Sequence, residues 1–98
     1  MPEAASPLEG STVFRVAEGV LKRNAGTETV LLDLDSEEFF GLDGVGARVF
    51  ELLEQPRRLD DVVGTLLTEY VVDRETLTAD VTDLVSELVT RNLLVVDV

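Results

Sequence analysis

Residues 29–53, TVLLDLDSEEFFGLDGVGARVFELL, contain the change of apolar periodicity that decides the fold class. Residues 29–34 favour a strand, Asp35-Ser36 is a turn signal, and residues 37–42 form a second short extended run. After that run the apolar positions follow a helical period. They are Val45, Val49, Leu52 and Leu53, with Asp43 placed to cap the helix and Pro56 just beyond its end. The stretch therefore predicts an antiparallel hairpin that runs directly into a helix.

The residues ahead of this stretch add one more strand. Apolar residues between Val13 and Leu21 are scattered around Gly19, which predicts an irregular or bulged first strand. Residues 24–27, Asn-Ala-Gly-Thr, then form a turn cluster before the strand at residues 29–34. Three short antiparallel strands in a meander are therefore expected.

Two further amphipathic stripes follow the first helix. One covers residues 59–70, and the other covers residues 77–89 with Asp73 as its N-cap. Asn92 is a stop signal, and Leu93–Val96 fits a short closing strand. Strands followed by three helices predict an α+β domain that is winged helix-turn-helix-like, a three-stranded antiparallel sheet followed by three helices. Residues 13–98 form this domain, and residues 1–12 are expected to be a flexible N-terminal tail.

The composition excludes most kinds of chemistry. Among 98 residues there is no Cys and no His, so the usual thiolate nucleophile, imidazole base and zinc ligands are missing. We therefore expect no catalytic residue, no cofactor and no metal. The longest apolar run is far shorter than a membrane span, and the first residues lack the pattern of a signal peptide. A cytoplasmic protein with no membrane partner is predicted.

The charge argues against nucleic acid as a partner. Eight basic residues stand against 20 acidic ones, a formal net charge of −12. Moreover, the predicted third helix carries Asp80, Asp83 and Glu87 in a stripe where a DNA-binding helix needs cations. The same row could be interpreted as a cation site, but a straight row of helical carboxylates usually means a solvated face.

Two other motifs have simple structural interpretations. Asp33 and Asp35 flank a turn, where chain reversal explains them better than acid–base chemistry. The glycines in residues 41–46, Gly-Leu-Asp-Gly-Val-Gly, join strand to helix but lack the residues of a phosphate-binding loop. Gly44 and Gly46 are instead expected to allow close packing against the strand.

The third strand of the meander is the candidate site. It would lie at the sheet edge, where unpaired N–H and C=O groups can pair with another chain. Glu37 and Glu38 could blunt this edge, yet Phe39-Phe40-Gly41 is apolar and the third helix has a broad apolar stripe beside it. An extended peptide binds such a groove by strand addition.

Residues 30–53 resemble the PqqD-like family, whose members share the pattern LLDLxxGxYFxLNxxGxxIWxLL. The likeness continues from Leu59 to Val63 and covers roughly residues 18–95 in register. This chain departs from the pattern at three turn or cap positions. Glu37 stands where Gly is common, Asp43 where Asn is common, and Arg58 where Ser or Thr is usual.

The resemblance implies a recognition element for ribosomally made, post-translationally modified precursor peptides (RiPPs). Such a domain holds the leader segment as an added strand in the groove between the third strand and the third helix. The chain looks most like the stand-alone leader-binding proteins of lasso peptide biosynthesis, which act beside a separate cysteine leader peptidase and a cyclase. A leader motif of the type Tyr-x-x-Pro-x-Leu is then expected. The implied peptide-binding residues are Glu38, Phe39, Phe40, Gly41, Leu42, Asp80, Val81, Asp83, Leu84, Val85, Glu87 and Leu88.

Two alternatives remain open at this point. One is a PqqD-type peptide chaperone for a radical-SAM modifying enzyme. The other, from a different class, is an acidic winged-helix regulator that binds protein. The sequence also leaves open which residues of the third helix line the groove and which belong to the core.

Overall fold

The computed structural model describes residues 10–26 and 28–97, and within these ranges it contains six strands and three helices. The strands are Val13–Val16 (β1), Val20–Ala25 (β2), Glu28–Asp33 (β3), Glu38–Asp43 (β4), Arg57–Arg58 (β5) and Leu94–Val96 (β6). The helices are Gly44–Leu52 (α1), Leu59–Glu69 (α2) and Arg74–Thr90 (α3). The predicted α+β class is confirmed. None of the three helices is long and apolar enough to cross a membrane.

The meander is the larger of two sheets. Strands β2, β3 and β4 pair antiparallel in that order, as the sequence predicts, so β4 lies at an edge. Period-2 alternation turns Thr29, Leu31 and Leu42 inward, where each is at most 8% exposed. Helix α1 begins directly at the end of β4.

The prediction of a single first strand is wrong, because the structure divides residues 13–21 between two strands. Gly19 has a φ of +83°, which lies in the left-handed region that glycine adopts readily. The chain turns there, and β1 leaves the meander to pair with β5 and β6 in a second small sheet. Strand β6 confirms the closing strand expected within Leu93–Val96. The scattered apolar residues around Gly19 thus mark a turn between two sheets.

The turn between β3 and β4 is built around Asp33. Its side chain accepts a hydrogen bond from the Asp35 N–H at 3.0 Å, and its carbonyl accepts one from the Glu37 N–H at 2.7 Å. Asp33 therefore supports the chain reversal expected from the sequence. Glu37 has a φ of +62°. A residue with a side chain in this region costs roughly 1 kcal/mol, which explains why glycine is common at this position in the family pattern.

The first and third helices begin as predicted, with one difference. The Asp73 side chain caps α3 by accepting a hydrogen bond from the Thr76 N–H at 3.0 Å. Asp43 occupies the N-cap position of α1, but its side chain makes no capping hydrogen bond. Gly44 follows with a φ of +54° and has open space where a side chain would begin. The expectation that Gly44 permits close packing is therefore wrong, and its backbone conformation is the reason for glycine.

Helix α2 is capped by the chain ahead of β1. Arg58, at its N-cap position, makes no side-chain capping bond. Instead the backbone N–H groups of Leu59 and Asp60 donate to the carbonyls of Thr12 and Gly10, both at 3.0 Å. These bonds satisfy donors that every helix leaves free in its first turn. The missing Ser or Thr at position 58 is thus compensated by main chain from elsewhere.

Part of the predicted tail belongs to the fold, because residues 10–12 contribute this cap. The predicted boundary after residue 12 thus assigns Gly10 and Thr12 to the tail, although both bond to α2. Residues 1–9 lie outside the described residues, as do Thr27 of the predicted turn cluster and Val98. The prediction of a flexible segment at residues 1–9 stays a prediction.

The core lies where the apolar stripes of the helices meet the inner face of the meander and strands β1 and β6. Its fully buried side chains include Phe14, Leu31, Phe50, Leu66 and Leu88. Burying each side chain of this size contributes about 1.5–3 kcal/mol.

An ion-pair network joins α1 to α2 at the surface. Arg48 donates from Nε and Nη2 to the two carboxylate oxygens of Glu69, at 2.9 and 2.7 Å, and also bonds Glu51. The hydrogen bonds from the guanidinium lower the pKa of Glu69 and raise the pKa of Arg48.

Candidate binding groove

Strand β4 presents unpaired backbone groups along the sheet edge. The Leu34 N–H donates to the Gly19 carbonyl, so the backbone of Leu34 faces β2. Every second residue before it, namely Leu32, Val30 and Glu28, therefore also bonds to β2. Because antiparallel ladders alternate, the N–H and C=O groups of Phe39 and Gly41 and the N–H of Asp43 then point away from β3. The Asp43 carbonyl, at the N-cap position, accepts the first hydrogen bond of α1. These three residues are the positions at which another strand can pair.

The side chains of β4 alternate between two faces of the sheet. Phe40 and Leu42 turn towards the helices, and Leu42 is only 5% exposed. Phe39 turns to the other face, where it is 70% exposed and lies in cross-strand register with Leu32 and Leu21. Phe39 therefore offers its backbone to the edge, while its side chain lies mainly on the face away from α3.

Helix α3 runs alongside β4 in the opposite direction. At the start of β4, the guanidinium carbon of Arg91 lies 4.8 Å from the centroid of the Phe40 ring. At the end of β4, the Leu84 side chain approaches Gly46, so that a Cβ added there would lie 3.5 Å from Cδ2 of both Leu84 and Leu42. We call the channel between this strand edge and this helix the β4–α3 groove.

The two ends of the β4–α3 groove differ in shape. The Arg91 end is nearly filled, with a cavity of only about 10 Å³ beside Phe40. The Leu84 end opens into a cavity of about 320 Å³. Its walls are the start of α1, residues 70–72 between α2 and α3, and the Asp80 to Leu84 side of α3. A side chain can therefore enter at one end without a rearrangement of the protein.

The structure separates the predicted site residues by depth. Leu42, Val81, Val85 and Leu88 are at most 5% exposed and belong to the core, which answers the question that the sequence left open. These buried side chains pack beneath the residues that line the groove. Two side chains of the set, Phe40 and Leu84, are half-buried, and the other six residues are exposed. The exposed ones are Glu38, Phe39, Gly41, Asp80, Asp83 and Glu87.

The acidic residues of α3 form one rim of the groove. Glu87 is paired with Arg91 at 3.2 Å, whereas Asp80 and Asp83 make no ion pair with any residue that the structure describes. Within residues 10–26 and 28–97, no three acidic side chains are arranged to hold a metal ion.

The sequence interpretation missed the cavity at the Leu84 end. Val45, Gly46 and residues 70–72 line it, and none of them was among the predicted site residues. One signal was present: Val71 and Val72 are apolar residues in a connection between two helices. In the structure Val71 is fully exposed beside the cavity.

Comparisons with known proteins identify the family of this chain. The family model described as Coenzyme PQQ synthesis protein D (PqqD) matches residues 28–94. A PqqA binding protein of Gluconobacter oxydans (strain 621H) is 28% identical over 94 residues, which cover 96% of this chain and 98% of that protein.

Two solved structures contain a bound leader peptide. TbiB1 in complex with the TbiA(beta) leader peptide is 36% identical with a TM-score of 0.76, over 82% of this chain and 93% of that chain. Lasso peptide synthetase B1 complexed with the leader peptide is 28% identical with a TM-score of 0.70, over 84% of this chain and 96% of that chain. The family match, which spans β3 and β4 of the meander, the three helices and the start of β6, shows that this chain belongs to the PqqD family.

Proposed function

We propose that this chain is a RiPP recognition element that holds the leader segment of a ribosomal precursor peptide by strand addition to β4. One observation carries the proposal: backbone groups of Phe39, Gly41 and Asp43 that have no partner among the described residues border the β4–α3 groove, whose Leu84 end opens into a cavity. Backbone hydrogen bonds supply affinity in this mode, and pockets for alternate side chains supply selectivity.

The site residues take different roles in this proposal. The backbone of Glu38 to Leu42 forms the pairing edge, and Phe40 and Leu84 form the apolar walls. Asp80, Asp83 and Glu87 form a charged rim, where charges change association rate and salt dependence more than affinity. The buried residues Leu42, Val81, Val85 and Leu88 hold these walls in place.

We assign the chain to a lasso-type pathway as a non-enzymatic module. In this role it presents the bound leader to a separate cysteine leader peptidase, and to the cyclase if that enzyme also requires the leader. Tethering raises the effective concentration of the substrate at its enzyme without any new contact. The similarity to a lasso peptide synthetase B1 and to TbiB1, both solved with a leader peptide, supports this assignment. The cytoplasmic location inferred from the sequence stays a prediction.

A PqqD-type chaperone for a radical-SAM enzyme is the second candidate. The family match and the similarity to a PqqA binding protein favour it. The leader motif distinguishes the two candidates, because the lasso assignment predicts dependence on a Tyr-x-x-Pro-x-Leu type sequence.

The first experiment is fluorescence anisotropy of a labelled leader, taken from the precursor encoded beside this chain, titrated with the protein. We expect saturable binding at micromolar or lower concentration, lost when the Tyr, Pro or Leu of the motif is replaced. A second set of leaders carries one N-methylated backbone amide each. Strand addition predicts that every second N-methyl group in the bound segment weakens binding, because only alternate amides face β4.

Absence of binding to a leader that the same pathway processes would contradict the proposed function. Binding without the alternating N-methyl pattern would contradict strand addition specifically. As an independent measurement, the melting temperature should rise with leader concentration, since a ligand of the folded state stabilises it.

A further inference from the structure

The cavity at the Leu84 end of the groove has an unusual lining. Its walls are mostly apolar, from Val45 and Val49 of α1, from Val72, and from Leu77 and Leu84 of α3. Asp80 contributes the single charged side chain among the described residues that line it. The Asp80 carboxylate is exposed and makes no hydrogen bond or ion pair with another described residue.

This combination selects a particular kind of guest. A side chain with a long apolar stem can cover the walls while its tip donates a hydrogen bond to the carboxylate. A purely apolar guest would cover the walls but could not donate a hydrogen bond to Asp80. An acidic guest would meet a like charge. The cavity therefore fits Tyr, Lys or Arg, which share an apolar body and a donor at the tip.

The cavity also has a defined position relative to the pairing edge. Gly46, which lies between Leu42 and Leu84, forms part of its wall just beyond the end of β4. A guest side chain thus belongs to a residue at the end of the paired segment or immediately outside it. Its position would set the register of the added strand.

We propose that Asp80 is a specificity-determining residue, which accepts a hydrogen bond from the donor-tipped side chain of one leader residue held in this cavity. The inference rests on the proposed function, and it assigns to the leader one Tyr, Lys or Arg that anchors the end of the added strand.

The test compares Asp80→Asn with Glu75→Gln. Both substitutions remove one negative charge from α3, and the exposed Glu75 lies in the first turn of the helix and does not line the cavity, so it is the matched control for a general charge effect. The probe is the labelled leader of the neighbouring precursor. In its variants each Tyr is replaced in turn by Phe, and each Lys or Arg by norleucine.

We expect Asp80→Asn to weaken binding of the native leader about five- to tenfold, because a hydrogen bond to a neutral amide oxygen is weaker than one to a carboxylate. Glu75→Gln should change it less than about twofold at physiological salt. One leader variant, in which the donor group of the anchoring side chain has been removed, should bind the wild-type protein more weakly than the native leader does. The same variant should bind Asp80→Asn and the wild-type protein equally well. The identity of that leader residue distinguishes a phenol from a cation.

Equal weakening by Asp80→Asn and Glu75→Gln, or equal sensitivity of all leader variants to Asp80→Asn, would overturn this inference and leave the proposed function standing. Failure of the wild-type protein to bind any leader would remove the proposed function itself.

Gly46→Ala provides a second variant that does not depend on charge. A Cβ at Gly46 would lie at ordinary contact distance from its neighbours, so the alanine fits and narrows the cavity. Alanine also favours the helix. We expect a higher melting temperature together with severalfold weaker leader binding. Unchanged binding by a stabilised variant would show that no leader side chain enters the cavity.

Discussion

The meander has two edge strands, β2 and β4, and both present unpaired backbone groups. The alternation that turns Phe39 and Gly41 outward on β4 also turns the N–H and C=O groups of Lys22 and Asn24 outward on β2. Hydrogen-bonding capacity is therefore the same at the two edges. Their surroundings are different, and this difference indicates which edge binds.

Strand β2 has side chains that discourage pairing. Lys22 and Arg23 lie in its middle, and a lysine on an edge strand is a common protection against association. Lys22 also pairs with Glu54 at 2.7 Å. At the other edge, Phe40 and Gly41 carry no charge, and α3 adds a wall and a cavity. Free backbone groups are thus necessary for strand addition, but the neighbouring helix and the absence of charge in the middle of β4 make one edge suitable.

Two proline substitutions test this comparison and have the largest expected effect. Gly41→Pro removes an outward N–H from β4, where the fold does not use it, and its ring obstructs an added strand. We expect leader binding to weaken about 10- to 100-fold, measured by anisotropy. Lys22→Pro removes the corresponding outward group from β2 and should leave binding unchanged. Equal loss in both variants would show that the leader does not distinguish the two edges.

A second pair of substitutions compares the two faces of the sheet at the β4 edge. Leu84→Asp places a charge against the apolar wall of the β4–α3 groove, and we expect about tenfold weaker leader binding. Phe39→Asp changes the outer face and should weaken binding by less, because the Phe39 side chain lies mainly away from α3. Circular dichroism of both variants controls for folding. A larger effect of Phe39→Asp would place the leader on the outer face.

The two hairpin turns provide a third comparison, through stability. Gly26, between β2 and β3, has a φ of +68°, and Glu37, between β3 and β4, has a φ of +62°. Glu37→Gly should raise the free energy of unfolding by about 0.5–1 kcal/mol, which thermal or urea denaturation can measure. Gly26→Glu should lower it. An unchanged or lower stability of Glu37→Gly would contradict the assigned conformation of this turn.

The smallest expected effect concerns α1, which supplies one wall of the cavity and is tied to α2 by Arg48. The pKa of Glu69 is lowered by its hydrogen bonds from Arg48, so the pair stabilises the fold above the ordinary Glu pKa. That contribution is lost as the pH falls through the lowered value. The melting temperature of Glu69→Gln should therefore fall less than that of the wild-type protein between pH 7 and pH 3. The exposed Glu75→Gln is the control, and its melting temperature should fall as much as that of the wild-type protein.

Local signals predicted the elements well. The hairpin, the three helical stripes and the Asp73 cap depend on residues close in the chain, and the structure confirms each of them. The second sheet was only partly foreseeable. Strand β5 is two arginines whose pairing with Val13 and Phe14 is a long-range contact, with no pattern of its own. Gly19 separates two strands because β1 pairs with β5 and β6, which lie far along the chain. The residues next to Gly19 do not specify these distant partners.

The position of the candidate groove was predictable from the sequence, but the burial of its residues was not. Phe39-Phe40-Gly41 identified the edge strand, and the resemblance identified α3 as its neighbour. The broad apolar stripe of α3 contains both Val85, which is fully buried, and Leu84, which faces the groove, and a helical wheel does not separate them. The cavity requires α1, residues 70–72 and α3 to be placed together, so it was missed.

By itself, the sequence determined the α+β class, the order of the elements, the acidic surface and the family, because these depend on composition, periodicity and local turn chemistry. Only the tertiary structure decided which edge of the meander has a helical wall, which α3 residues are exposed, and that Asp80 stands at the mouth of an apolar cavity. The physical reason is that burial and cavities arise from the relative placement of distant elements. A residue's own neighbours in the chain do not specify that placement.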